Sequence, residues 1–343
     1  MDTWFNTSQK KHIWLWLLLT LLCACSAPQT QGPPVVSLET LFKVDLPQDG
    51  PIRTTVLDMV ADDQGVYLSK SKPAEILGFD RQLAPLLRLD GFGKGTEHFE
   101  WVGNMAVRDD LFFIWESPDA IEVYDRQASF VQQVLLPAFG ASRFAVDAQM
   151  WLYISTPSGV NPIEVLDLNG ESQRGFGQWI DNPQYPQRRR FDNKRHLFLD
   201  DSGNLVCLSI TEAQVEVYNA DGQLLVRREL ADNPYFVGYF REREDFYEKH
   251  PKKRLTAVFH LVVDAAFANN QLYLLYANNG PGRPANHVMV VAVSDKQIEP
   301  GSVFQLRQEG ESVGFNAARM AVWKDRLYAF NLSDNGLHRF PKP

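Results

Sequence analysis

The sequence predicts an all-β chain in which six four-stranded units close into a ring, and three observations carry that prediction. Strand-length apolar runs bounded by Asp, Asn and Gly turns recur through the chain beyond its first few dozen residues, while extended helical periodicity is scarce. Aligned on their aromatic strands, these runs fall into six similar units. The last unit meets the end of the chain at Pro343 without a fourth strand, and a spare strand, Leu41 to Leu46 (LFKVDL), stands at the other end. An open array would expose an edge strand at each end, so a spare strand that completes the last unit closes the ring. The architecture that satisfies all three is a six-bladed β-propeller, its last blade closed by an N-terminal strand.

The units share one logic. Unit one reads DMVADDQGVYL from Asp58 and EILGFD from Glu75; unit two reads NMAVRDDLFFI from Asn104 and IEVYD from Ile121. Unit three has RFAVDAQMWLYI from Arg143 and IEVLDLNG from Ile163; unit four has HLFLDDSGNLVCL from His196 and VEVYNADG from Val215. Unit five has DAAFANNQLYLLY from Asp264 and HVMVVAV from His287; unit six has RMAVWKDRLYAF from Arg319 and GLHRF from Gly336. In each, a short apolar strand meets a polar turn, an aromatic-centred strand follows, and the third strand runs into Asp or Asn before the next turn, which is hairpin chemistry. Fourth strands follow at Ala84–Leu89, Phe130–Leu136, Leu224–Leu230 and Val303–Leu306.

The Ile-x-Val-Tyr-Asp strands, with Gly91-Phe-Gly-Lys-Gly-Thr-Glu-His-Phe99 after unit one, make residues 36–340 resemble the NHL-like and TolB-like six-bladed propellers. The glycine segment looks like that family's bridge between blades, with His98 inserted before the Phe; other units keep only scraps such as Gly175-Phe-Gly177. As a phosphate loop the segment fails, because a strand pattern follows it where a helix N-terminus is needed.

The N-terminal residues address the compartment. Lys10 and Lys11 precede His12–Leu22, an apolar run of about 11 residues that suits a signal-peptide core and is too short to span a bilayer. Leu22-Cys23-Ala24-Cys25 resembles the bacterial lipobox. That resemblance implies cleavage after Ala24, lipidation of Cys25 and acylation (palmitate class) of the new N-terminus. Several acyl chains hold a protein on a membrane where one binds only marginally. Ser26, not Asp, follows the Cys, which by the same resemblance favours the outer membrane. The expected organisation is therefore a signal peptide over 1–24, a flexible tether over 25–35 and one propeller over 36–343.

Composition limits the partners. Losing Lys10, Lys11 and Asp2 with the signal leaves 32 basic against 41 acidic side chains, an acidic balance that disfavours nucleic acid. Beyond Cys25 only Cys207 remains, so neither a disulfide framework nor a thiolate metal cluster can form, and its apolar strand context reads as a buried thiol. No zinc spacing, nucleophile elbow or cofactor fingerprint occurs. The implied partners are a membrane, through the lipid, and a protein or a small polar ligand.

One register stands out. The residue opening each innermost strand is polar in all six units: Asp58, Asn104, Arg143, His196, Asp264 and Arg319. These six should ring one mouth of the central channel. Two readings fit: a site for a small charged or polar ligand, or a ring that pairs internally, with His196, Asp264, Arg319 and Asp58 alternating in charge. Two arginines in the ring argue against a calcium-dependent lactonase. Two other segments interrupt the repeat. Ala231–Thr256 is aromatic and then highly charged, a binding loop or a solvated cap whose short helix would stop at Pro251; Gln178–Arg195, with Arg188, Arg189 and Arg190, reads as a solvated rim. The function these features support is a non-catalytic binding or scaffold module at the cell envelope, against a hydrolase or lyase working at the channel mouth.

Overall fold

The computed structural model describes residues 35–46, 55–71, 73–90, 102–116, 120–136, 143–157, 159–181, 183, 185–255, 259–277, 283–308 and 315–343. The lipobox around Cys25, the tether up to Pro34 and the Gly91–Phe99 bridge lie outside them. Residues Val35–Pro343 form one compact unit.

Six sheets make up this unit, one for each repeat seen in the sequence. Blade one pairs Thr55–Ala61, Val66–Ser71, Glu75–Phe79 and Pro85–Asp90 in sequence order, and blades two to four repeat that meander. Blade three gains a fourth strand, Ser172–Phe176, that its polar sequence had concealed. Blade six (Ala317–Trp323, Arg326–Asn331, Gly336–Pro341) takes its outer strand from Phe42–Asp45, antiparallel to Gly336–Pro341. The ring is therefore closed by the N-terminal strand, as its sequence predicts. Val36–Glu39 adds what the sequence did not announce: a fifth, outer strand on blade five, parallel to Ile298–Arg307.

Local chemistry explains the hairpins. At Asp80, Asp125, Asp147, Asp167, Asp200 and Asn219, the side-chain Oδ1 accepts the backbone N–H groups two and four residues on, at 2.8–3.1 Å. The residue three places on must then turn left-handed. Gly170, Gly203 and Gly222 do so freely, whereas Leu83, Ala128 and Met150 carry a Cβ into the same region. Asp80, Asp125, Asp167 and Asn219 close the third strands of blades one to four, and Asp147 and Asp200 close the first strands of blades three and four, so each stops a strand and builds the turn at once.

Packing then runs between blades. Each of the six junctions has its own apolar cluster: Phe113 and Val134 of blade two meet Val146 and Leu152 of blade three, and Met59 and Leu68 of blade one meet Tyr328 and Phe330 of blade six. The long insertion joins the junction of blades four and five. There Pro234–Lys249 forms a 16-residue helix, with Asn233 accepting the Tyr235 N–H as its cap and Pro234 in its first turn. Phe236, Tyr239 and Tyr247 are buried on its inner face at helical spacing, the first two within the blade cluster.

The rim segment departs from its expectation at Arg188 and again at Asp192, Asn193 and Arg195, all of them buried. Arg188 is buried, bonded to Asp192 at 3.0 Å and to the Tyr247 hydroxyl at 2.9 Å, so it clamps the insertion helix to the rim. Arg189 and Arg190 do face solvent, stacked on Trp179 and Phe191.

Candidate functional site at the central channel

The six innermost strands all run the same way around the channel, and each has a hydrogen-bonded neighbour on one side only. In blades one, five and six a bulge precedes the ring residue: pairing slips between Val56 and Asp58, Val262 and Asp264, and Ala317 and Arg319. An extra residue in a strand re-aims the side chain after it. Asn104 and Arg143 stand just before their strands, and His196 is the second residue of its own.

Four of the six residues meet in one network. Arg143 of blade three bonds Asp58 of blade one and lies 3.1 Å from Asp264 of blade five; it also donates to the Ala265 carbonyl. Asp58 accepts the N–H groups of Met59 and, from blade two, Met105, each at 2.8 Å. Asp264 accepts the Met320 N–H of blade six at 2.7 Å, and Arg319 returns from blade six to the Leu57 carbonyl of blade one at 2.5 Å. The contacts thus stitch five blades together, with a backbone group at the far end of most of them. Asn104 contributes its carbonyl, which accepts the Trp115 N–H at 2.9 Å.

The pairing differs from simple alternation around the ring. His196 makes no ion pair with Asp264: its imidazole is driven well below its usual range, by burial first and then by the nearby Arg143, Arg319 and His260. It is a neutral ring there, with Nδ1 lacking a protein partner. Burial raises Asp264, against the lowering effect of Arg143, Arg319 and the Met320 N–H. Burial would lower Arg143, but the carboxylates of Asp264 and Asp58 outweigh it and hold the guanidinium charged.

Beyond the ring, along the same strands, lies a cavity of about 230 Å³. Its walls are the residues that follow each ring residue, among them Met59, Met105, Phe144, Phe198, Phe267 and Val322, with Arg143 and Arg108 as the charged members. Phe198 and Phe267 stack at 6.1 Å, and the Arg143 guanidinium lies 5.8 Å from the Phe198 ring centre. Sequence reasoning missed this lining because apolar residues after a polar one read as core. Arg108 in Met105-Ala-Val-Arg108 was the visible signal, a charge at the end of its inner strand where the other blades place the uncharged Ala61, Val146, Leu199, Ala268 and Trp323.

Elsewhere, Cys207 is fully buried in blade four, its thiol pushed well above the usual range by burial and by Glu216. Among the described residues no group of three or more His, Cys, Asp or Glu could hold a metal ion, and no helix is long and apolar enough to cross a membrane.

The sequence matches no family model and no curated protein. Solved structures do resemble the fold. A Bacteroides vulgatus member of the DUF4221 family has a TM-score of 0.58 at 12% identity, over 90% of this chain and 98% of that one. A Bacteroides fragilis protein described as exported has a TM-score of 0.53 at 10% identity, over 90% and 99%. A streptogramin B lyase has a TM-score of 0.52 at 10% identity, over 87% and 97%. At such identities the likeness is one of fold. The chain is a six-bladed β-propeller.

Proposed function

We propose that this chain is an envelope lipoprotein, held through lipid on Cys25 at the outer membrane, whose propeller acts as a non-catalytic binding or scaffold module. The observation that carries the second half is the Asp58–Arg143–Asp264 bridge. A hydrolase or lyase working through the ring carboxylates would need one of them free to move a proton. The two ring carboxylates instead accept backbone N–H groups and an arginine, and they are buried. The polar ring thus has its strongest groups engaged in joining blades, which leaves ligand contact to Arg143 and to the surfaces beyond it. The export half is supported by the basic flank, apolar run and Leu-x-Ala-Cys of the N-terminus, and it agrees with the exported neighbour of the same fold.

Two measurements test the two halves. Radiolabelled palmitate fed to cells should label the wild-type chain and not Cys25→Ala, and the label should sediment with outer membranes. Purified protein incubated with a type B streptogramin should leave it intact by liquid chromatography and mass spectrometry; conversion of that compound would overturn the non-catalytic reading.

A further inference from the structure

We infer that the channel cavity binds a small molecule made of one carboxylate and an apolar, preferably aromatic, body, entering from the end marked by Arg108. The inference rests on the binding reading above and gives that binding a site and a ligand class.

Position along the strands sets the entry side. Every ring residue precedes its blade's cavity residues, so the Asp58–Arg143–Asp264 bridge stands at the inner end of the cavity. Arg108 is the last residue of Met105–Arg108, its side chain 37% exposed, and so lies toward the opposite, solvent-facing end. Between them the wall offers Phe144, Phe198 and Phe267 to an apolar body. The volume falls below the roughly 300–1,000 Å³ of pockets that take drug-sized ligands, which restricts the occupant to something smaller.

Donors and charge select the polar end of the ligand. The Nε–H groups of Arg108 and Arg143 are both buried and have no acceptor among the described residues. A buried donor without an acceptor is costly, and both belong to residues lining one cavity. As for charge, Asp58 and Asp264 are answered by Arg143 and Arg319, which both act on Asp264. Arg108 is left over: its nearest carboxylate, Asp109, is 3.9 Å away and 65% exposed, where water screens it. In a chain of net charge −8, this cavity carries a positive balance. A cation is disfavoured there, a neutral molecule leaves Arg108 unanswered, and a carboxylate accepts from arginine while its body covers the aromatic wall.

The test uses the full-length chain in lipid nanodiscs and titration calorimetry with phenylacetate, its neutral isostere phenylacetamide and phenethylamine. Phenylacetate should bind saturably, about tenfold or more tighter than the amide, and the amine should not bind. Arg108→Gln should weaken phenylacetate by about tenfold and leave the amide unchanged. Ala106→Phe, which fills the cavity, should abolish binding of both; a circular-dichroism melt at the wild-type midpoint separates filling from unfolding. Equal affinity for acid and amide, no saturable heat with phenylacetate, or indifference to Arg108→Gln would each overturn the inference. The binding reading itself fails on a different result, turnover in the streptogramin assay, so the two failures are distinguishable.

Discussion

The channel has an arginine at each end, in opposite circumstances. Arg143, where the inner strands begin, is buried between two carboxylates from blades two places away on either side and donates to a backbone carbonyl as well. Arg108, where they finish, keeps part of its side chain in water and has one distant, exposed acid nearby. The residue type is the same and the chemistry is not. A guanidinium whose partners come from several blades converts a ring of separate sheets into a closed body. A guanidinium whose partners lie within its own hairpin adds little to stability and keeps its donors for something else.

That contrast can be broken most directly by substitution at each end. Arg143→Ala removes the only cation between Asp58 and Asp264 in the described network and leaves two buried carboxylates facing each other, so it should cost about 3–5 kcal/mol in urea denaturation. A loss under about 1 kcal/mol would show that the bridge is not what holds the ring end together.

Lowering the pH should weaken the ring end next. His196, buried beside Arg143 and Arg319, has a depressed pKa, burial being the largest cause; His287 of blade five is lowered to about 4 in the same way, with Arg307 as second cause. A base held neutral in the folded state binds fewer protons than it does unfolded. Its stability is therefore present above the ordinary value of 6.5 and is lost as pH falls toward the folded value. Asp264 acts the other way: its raised pKa gives stability at low pH that is lost as pH rises through the folded value. With two histidines against one aspartate, the urea midpoint should fall between pH 6.5 and 4.5, and His196→Asn should flatten that slope. A midpoint that rises over this interval would show that Asp264 dominates.

Arg108→Gln should do least, shifting stability by no more than about 0.5 kcal/mol, because a part-exposed arginine whose one nearby acid is distant and exposed contributes little. A loss comparable to that of Arg143→Ala would make both ends structural and remove the contrast.

Much of the fold could be read from the residues. Strands running into Asp or Asn, the third strands of blades one to four and the first strands of blades three and four, carry the turn chemistry that the hairpins use, so the units could be aligned on turn and aromatic positions. Phe42–Asp45 was legible as a closing strand because the last unit lacked one. Val36–Glu39 was not, since parallel addition to a strand more than 260 residues away leaves no local pattern. The insertion's aromatic and charged runs were visible and left a binding loop or a solvated cap open; that Phe236, Tyr239 and Tyr247 turn inward was decided by packing. Arg188 looked like its exposed neighbours and is buried because Asp192 and Tyr247 happen to converge on it.

The channel divides along the same line. Local sequence determined which positions face it, because strand periodicity and turn residues act over a few neighbours and repeat in every blade. It therefore placed Asp58, Asn104, Arg143, His196, Asp264 and Arg319 at one register. Which of them bond was decided only by the closed ring, where bulges re-aim side chains and bring blades one, three and five within reach of one guanidinium. The cavity behind them is likewise a property of closure: its wall is assembled from all six blades, and no single repeat contains enough of it to be seen.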